Sequence, residues 1–297
     1  MNRYVSHLII FLCISKLSLN VSLLCQSSSD FYFFESRLQT LGDQILNSKN
    51  DSTSSIYNNL LIDDIEELIL INGSFEFPFK NVNNIKILTS PDKNLKIYNW
   101  VLPKNNGEFF YFCYLHFFDK KSKSYTHHKL IDNSFENENF EYQQYTNNLW
   151  FGALYSEIVY TNFQGKDFYT LLGWDGNNNF TNKKIIETLI FDEELKPILG
   201  VPIIKMKKGN QNRVILEYSE NTSINLKFNK ELDYIVFDHL EPVENSQDIY
   251  EFYFPSLSYD GLTFKNGKWR LVENIPVYND KMMDGKRLKK IQQGLQE

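Results

Sequence analysis

The chain has 297 residues, an apolar fraction of 42% and a formal net charge of −6. That length can bury a sizeable core, as one large β domain or two smaller ones. The acidic balance argues against a nucleic-acid partner, because phosphate binding needs concentrated Lys and Arg; the one basic run, Lys281 to Lys290, reads as a solvated tail over 281–297.

Residues 1–25 carry Arg3, an apolar run from His7 to Ile14, Lys16 and a second mild apolar run to Leu24, before the polar Gln26-Ser27-Ser28-Ser29. A positive start, a short apolar stretch and a polar exit predict a secretory signal peptide, and therefore a secreted or periplasmic protein. Lys16 leaves neither half long enough to span a bilayer, so no transmembrane span is expected in the mature chain. Cleavage after Cys25 leaves Cys113 as the one thiol, which rules out an internal disulfide. Cys113 sits in the strand-like run Phe109–Leu115 and is expected to be an inert core residue.

Residues 26–73 form a predicted helical preface. Phe31, Phe34, Leu38, Leu41 and Ile45 recur at helical spacing, and Ile56, Leu60, Leu61, Ile65 and Leu68 mark a second helix that Asn72-Gly73 ends. Asp63, Asp64, Glu66 and Glu67 are expected on its solvated face.

The period then changes. Over 74–280 the pattern is strand, tight turn, strand. Aromatics make up 15% of the chain and Phe and Tyr dominate them, which suits a pleated, half-buried surface. Ile85–Leu88 and Leu95–Leu102 flank a turn centred on Pro91-Asp92; Glu108–Phe118 follows. Lys120–Asn148 is polar and reads as a long loop or frayed edge. Leu149–Tyr160, Phe168–Trp174, Lys184–Phe191, Pro197–Met206, Arg213–Tyr218, Ile224–Phe228 and Tyr234–Asp238 continue the series. Leu262–Phe264 and Lys268–Glu273 flank Asn266-Gly267, a strong hairpin signal. The fold class is mostly β, an antiparallel meander. Its edges can be hidden by an irregular propeller-like arrangement, or by a sandwich or barrel.

The segments Ile87-Leu88-Thr89-Ser90-Pro91-Asp92-Lys93, Tyr169-Thr170-Leu171-Leu172-Gly173-Trp174-Asp175-Gly176-Asn177, Ile235-Val236-Phe237-Asp238-His239-Leu240 and Tyr259-Asp260-Gly261 resemble a family of uncharacterised secreted, β-rich bacterial proteins. The likeness spans about residues 75–275. It implies a secreted β-rich protein and carries over no catalytic residue, since the family has no assigned activity.

Candidate binding residues are Trp174, Asp175, Asn177, Asp238, His239 and Asp260. Asp175, Asn177 and Asn179 have the opening spacing of a calcium loop, but Phe180 and Ile186 stand where its glycine and closing Glu belong, so a structural turn is expected and no metal. Asp238-His239 at a strand end could supply half of an acid–base pair, although no Gly-x-Ser-x-Gly elbow exists. His127-His128 are adjacent and point to opposite faces in a strand. Glu157, Asp175, Asp192 and Asp260 are possible glycosidase carboxylates, and Trp100, Trp150, Trp174 and Trp269 a possible sugar platform or simply core. No cofactor motif is present. The leading expectation is a non-enzymatic binding or structural protein whose partner is an extracellular polymer or protein; the alternative is an extracellular hydrolase acting on a glycan or other polymer through paired carboxylates.

Overall fold

The computed structural model of the chain describes residues 29–133 and 140–276. The expected signal peptide and basic tail lie outside them. The chain divides after Ile85 into a helical unit and a β unit.

In the helical unit, α1 covers residues 29–47 and α2 Asp51–Leu70. The five apolar positions predicted for α1 are all buried. Asn50 caps α2 by accepting a hydrogen bond from the Thr53 amide at 2.8 Å. The phase of α2 differs from expectation. Its inner face is Ser54, Asn58, Leu61, Ile65 and Leu68, so Ile56 and Leu60 fall on the exposed side. Asp64 is also not a solvated residue: it is buried and takes both ends of the Arg37 guanidinium, at 2.7 and 2.8 Å. This fork-to-fork pair pins α1 to α2. After α2, Glu35 accepts bonds from the Asn81 amide and side chain, which holds the 71–85 segment against the helices. No helix among the described residues is long and apolar enough to cross a membrane.

The β unit is built from antiparallel sheets, and the strands follow the alternation of the sequence closely. Strands β1 (Lys86–Thr89), β2 (Leu95–Pro103), β3 (Phe109–Asp119) and β4 (Ser124–Leu130) form the first sheet as a simple meander. The predicted turn between β1 and β2 closes with the Lys93 amide donating to the Ser90 carbonyl at 2.9 Å. Strand β4 lies inside the polar stretch read as loop or edge, and it is an edge strand. Its outward residues include His127, while His128 on the other face bonds the Leu195 carbonyl at 2.8 Å.

The second sheet is laid down by β5 (Leu154–Phe163), β6 (Lys166–Asp175) and β7 (Thr181–Phe191), with β8 (Pro197–Leu199) pairing with β7. The chain then leaves for β9 (Ile204–Met206) and β10 (Gly209–Gln211), which belong to a third sheet. It returns as β11 (Arg213–Ser219) on the free side of β7, and ends the third sheet with β12 (Leu226–Asn229), β13 (Tyr234–Pro242), β14 (Tyr253–Lys265) and β15 (Lys268–Val272). Pro197–Met206, read as one strand, is thus two short strands in different sheets, joined through Gly200 at φ +73°. The third sheet runs β10-β9-β15-β14-β13-β12, and the β15–β9 pairing is parallel. Asn266-Gly267 has positive φ at both residues, 52° and 74°, as the expected two-residue hairpin requires.

The second sheet lies between the other two and is buried on both faces. Tyr169, Leu171, Ile185 and Leu189 join Leu95, Ile97, Cys113 and Leu115 of the first sheet in one core. Phe168, Leu172, Ile186 and Ile190 join Ile204, Ile235, Leu262 and Trp269 of the third sheet in another. A strand buried on both faces has no polar side to expose, which is why Leu171-Leu172 of β6 and Ile185-Ile186 and Leu189-Ile190 of β7 put adjacent apolar residues on opposite faces. Buried polar side chains join the layers. Asn99, fully buried, donates to the Phe112 and Ala153 carbonyls and accepts from the Tyr155 amide. Trp269 Nε1 donates to Thr170 Oγ1 at 2.9 Å. The sheets do not close into a barrel; face-to-face layering hides the apolar surfaces instead. Cys113 is wholly buried, and burial pushes its thiol well above the usual range.

Candidate functional site

The six sequence-selected residues fall into two groups. Trp174, Asp175 and Asn177 end β6 and begin the turn to β7. Asp175 is buried, and its Oδ1 accepts from the Tyr111 hydroxyl at 2.9 Å and the Asn177 amide at 2.8 Å. The same hydroxyl accepts from the Gly176 amide, and a Cβ at Gly176 would strike the Phe109 ring. Burial raises the Asp175 carboxyl, and burial with the nearby carboxylate raises the Tyr111 phenol. Asn177 bonds Thr181, Glu217 and Lys183, and Trp174 Nε1 donates to Asn182. The oxygen donors of this turn are spent on its own backbone and neighbours.

Asp238, His239 and Asp260 come together. They lie on β13 and β14, where pairing shifts register: Asp238 faces Tyr259, but Leu240 faces Pro255. Ser256, Leu257 and Ser258 therefore stand opposite His239 alone. Irregularities of this kind re-aim side chains. Here the bulge sets His239 Nδ1 2.7 Å from Asp260 Oδ2, while Nε2 is 3.9 Å from Glu241. Asp260 Oδ1 accepts from the Asn274 amide at 3.0 Å. Asp238 is held by the Asn225 amide and side chain at 2.5 and 3.1 Å. A carboxylate at Nδ1 fixes an imidazole's orientation and leaves Nε2 for a ligand or a proton transfer.

All three residues border one cleft of about 370 Å³. That size falls within the usual range for small-molecule sites, roughly 300–1,000 Å³. Its apolar floor comes from Met206, Leu216, Phe237 and Leu271. Its rim is polar: Lys207 and Lys208 from the β9–β10 hairpin, Gln211 from β10, and Glu141 and Tyr142 from a 3-10 turn at Phe140–Tyr142. Tyr250, on a second 3-10 turn at Tyr250–Phe252, closes the far side. Lys207 pairs with Glu273 at 2.5 Å. Burial raises the Glu141 carboxyl, against the opposing pull of a hydrogen bond from the Ile215 amide and of the charges on Lys208 and Arg213. Gln211 is 7% exposed; its Nε2 lies 3.4 Å from both Glu141 and the Tyr142 hydroxyl, and its buried Oε1 has no hydrogen-bond partner.

The other candidates do not gather. Glu157 accepts from the Phe228 amide on β12, Asp192 shapes an exposed turn after β7, and only Asp260 of the four proposed carboxylates reaches the cleft. Trp100, Trp150 and Trp269 are each 1% exposed and belong to the interior; Trp174 is half-buried, edge-on to Phe109. Among the described residues, no group of three or more His, Cys, Asp and Glu side chains is arranged to hold a metal ion.

Sequence reasoning missed Glu141, Tyr142, Tyr250 and Gln211. One signal was available. Phe140-Glu141-Tyr142 and Tyr250-Glu251-Phe252 are aromatic–acid–aromatic triplets inside polar stretches. Such triplets are too apolar for a free loop and mark turns tethered to the body. No family model, curated protein or solved structure matches this chain, so any functional reading rests on the cleft's own chemistry.

Proposed function

We propose that the protein is exported, secreted or envelope-associated, and binds a ligand in the β13–β14 cleft without transforming it. The observation that carries this reading is the convergence of Asp238, His239 and Asp260 on one concave surface with an apolar floor and a polar rim. The carboxylates there are engaged internally, Asp238 by Asn225 and Asp260 by His239 and Asn274, which suits a preorganised binding wall better than a working acid–base pair. The signal-like pattern of residues 1–25 supports export.

A second reading is hydrolysis of an extracellular polymer, favoured by the 2.7 Å His239–Asp260 contact. One experiment separates the two. The full chain is screened against a polar fragment library by ligand-observed NMR, beside a Lys208→Trp variant that fills the cleft mouth from an exposed rim position. Signals seen with wild type and lost in the equally stable variant are expected. Absence of binding, or binding indifferent to Lys208→Trp, sinks the reading. Turnover of a fluorogenic glycoside that Asp260→Asn abolishes would replace it with the hydrolase.

A further inference from the structure

The cleft is lined by four carboxylates, Glu141, Asp238, Asp260 and Glu273, against the ammonium groups of Lys207 and Lys208 and the imidazole of His239, so its balance is acidic. Lys207 is spent on Glu273, His239 on Asp260, and Asp238 on the Asn225 amide and side chain. An anionic ligand would meet this excess of carboxylates, and one that drew Lys207 from Glu273 or His239 from Asp260 would leave a partly buried charge without its partner. Beside that acidic balance the cleft offers a ligand a set of directional donors and acceptors. These are His239 Nε2, the Glu141 carboxyl, the Lys208 ammonium and the amide of Gln211, whose buried Oε1 is unpartnered.

The apolar elements have a matching form. Below is a floor of aliphatic and aromatic carbon. At the mouth stand two tyrosines from separate 3-10 turns, Tyr142 at 50% and Tyr250 at 44% exposure. Large aromatics left half in water at the rim of a preformed cleft are flat faces awaiting a partner, since their carbon surface gains from being covered. Gln211 Nε2 lies beside the Tyr142 hydroxyl, and Tyr250 packs on Tyr253 at 5.1 Å between ring centroids, so both rings are braced from behind.

A ligand with an apolar face, a hydroxylated edge and no acidic group fits both sets of features. We propose that the cleft binds a neutral saccharide, stacked on Tyr142 and Tyr250 with its hydroxyls met by His239, Glu141, Lys208 and Gln211. This rests on the cleft being a binding site, as proposed above, and names the ligand class.

The test is a glycan array of neutral and acidic oligosaccharides probed with the full chain, with every hit titrated by saturation-transfer NMR. Expected are neutral hits that weaken tenfold or more in Tyr250→Ala and Tyr142→Ala, both exposed positions whose variants keep the wild-type melting temperature. His239→Gln should weaken them as well. Binding confined to acidic glycans, binding of a neutral tripeptide control but of no sugar, or neutral hits unmoved by both tyrosine variants overturns the proposal. An array without neutral hits does so too. If the fragment screen still maps to the cleft in that case, only the ligand class has failed; if the fragments also fail, the site itself has.

Discussion

Arg213 and Glu187 form an ion pair with no exposed side-chain surface on either partner. They are cross-strand neighbours on β11 and β7. Arg213 Nε and Nη2 reach the two carboxylate oxygens at 2.8 and 3.2 Å; Nη1 donates to the Phe140 and Gln143 carbonyls, and the guanidinium lies 4.6 Å over the Tyr145 ring. Arg213→Met keeps the volume and removes the charge. Stranding Glu187 should cost about 3–5 kcal/mol, with about 0.5–1.5 kcal/mol more for each carbonyl that loses its donor. At about 2–4 °C per kcal/mol for a unit of this size, the melting temperature should fall by roughly 8–32 °C. The pH dependence carries a further signature. Burial already raises the Glu187 carboxyl, opposed by Arg213. A carboxyl raised in the folded state contributes stability that is present below its unfolded pKa and is lost as pH rises through the folded one. Removing Arg213 raises Glu187 further, so the variant's deficit should be smallest near pH 4.5, where the lost carbonyl donors remain, and widen towards pH 8. Chemical denaturation of both proteins across that range measures it, and Arg213→Met with Glu187→Leu should recover most of the loss. A deficit below about 1 kcal/mol, or one flat with pH, would refute the reasoning.

Asp175→Asn should grow more stable relative to wild type as pH rises, because the raised carboxyl loses its contribution on ionising while an amide oxygen still accepts from Tyr111 and Asn177; paired melting curves at pH 4.5 and 8 check the sign. Gly267→Ala forces a side chain into a position with φ +74°, where a Cβ would lie 2.7 Å from the Phe163 ring. It should cost about 1–3 kcal/mol in urea unfolding, and a loss under half that range would show that the hairpin relaxes.

The strands were legible because alternation and turn residues are local. Ser90-Pro91-Asp92-Lys93 and Asn266-Gly267 specify their turns without help from the rest of the chain. Assignment of strands to sheets was not legible. Pro197–Met206 is largely apolar; Gly200 and Pro202 mark a break in it, but nothing local says that the chain crosses there into another layer. Arg213 and Glu187 were invisible for a related reason: a charge on a strand looks the same whether it faces water or a partner. Asp64 misled in that way, since its buried role depends on Arg37, 27 residues away. The cleft was half legible. Asp238-His239 and Asp260 drew notice as titratable strand residues, but the bulge that joins them arises from pairing across the sheet.

The route of the chain through its layers has a consequence for synthesis. Besides β10, the pairing partner of β9 is β15, whose first residue, Lys268, follows Met206 by 62 positions (268 − 206). At about 5–20 residues per second, translation leaves that edge waiting roughly 3–12 s for its neighbour. During that interval the apolar side of the middle layer, laid down as far as β8 and completed by β11, lacks the β9–β15 part of its cover and faces whatever surrounds the nascent chain. The last hairpin acts as the clasp, and the molecule's vulnerability to misassembly is greatest just before it closes.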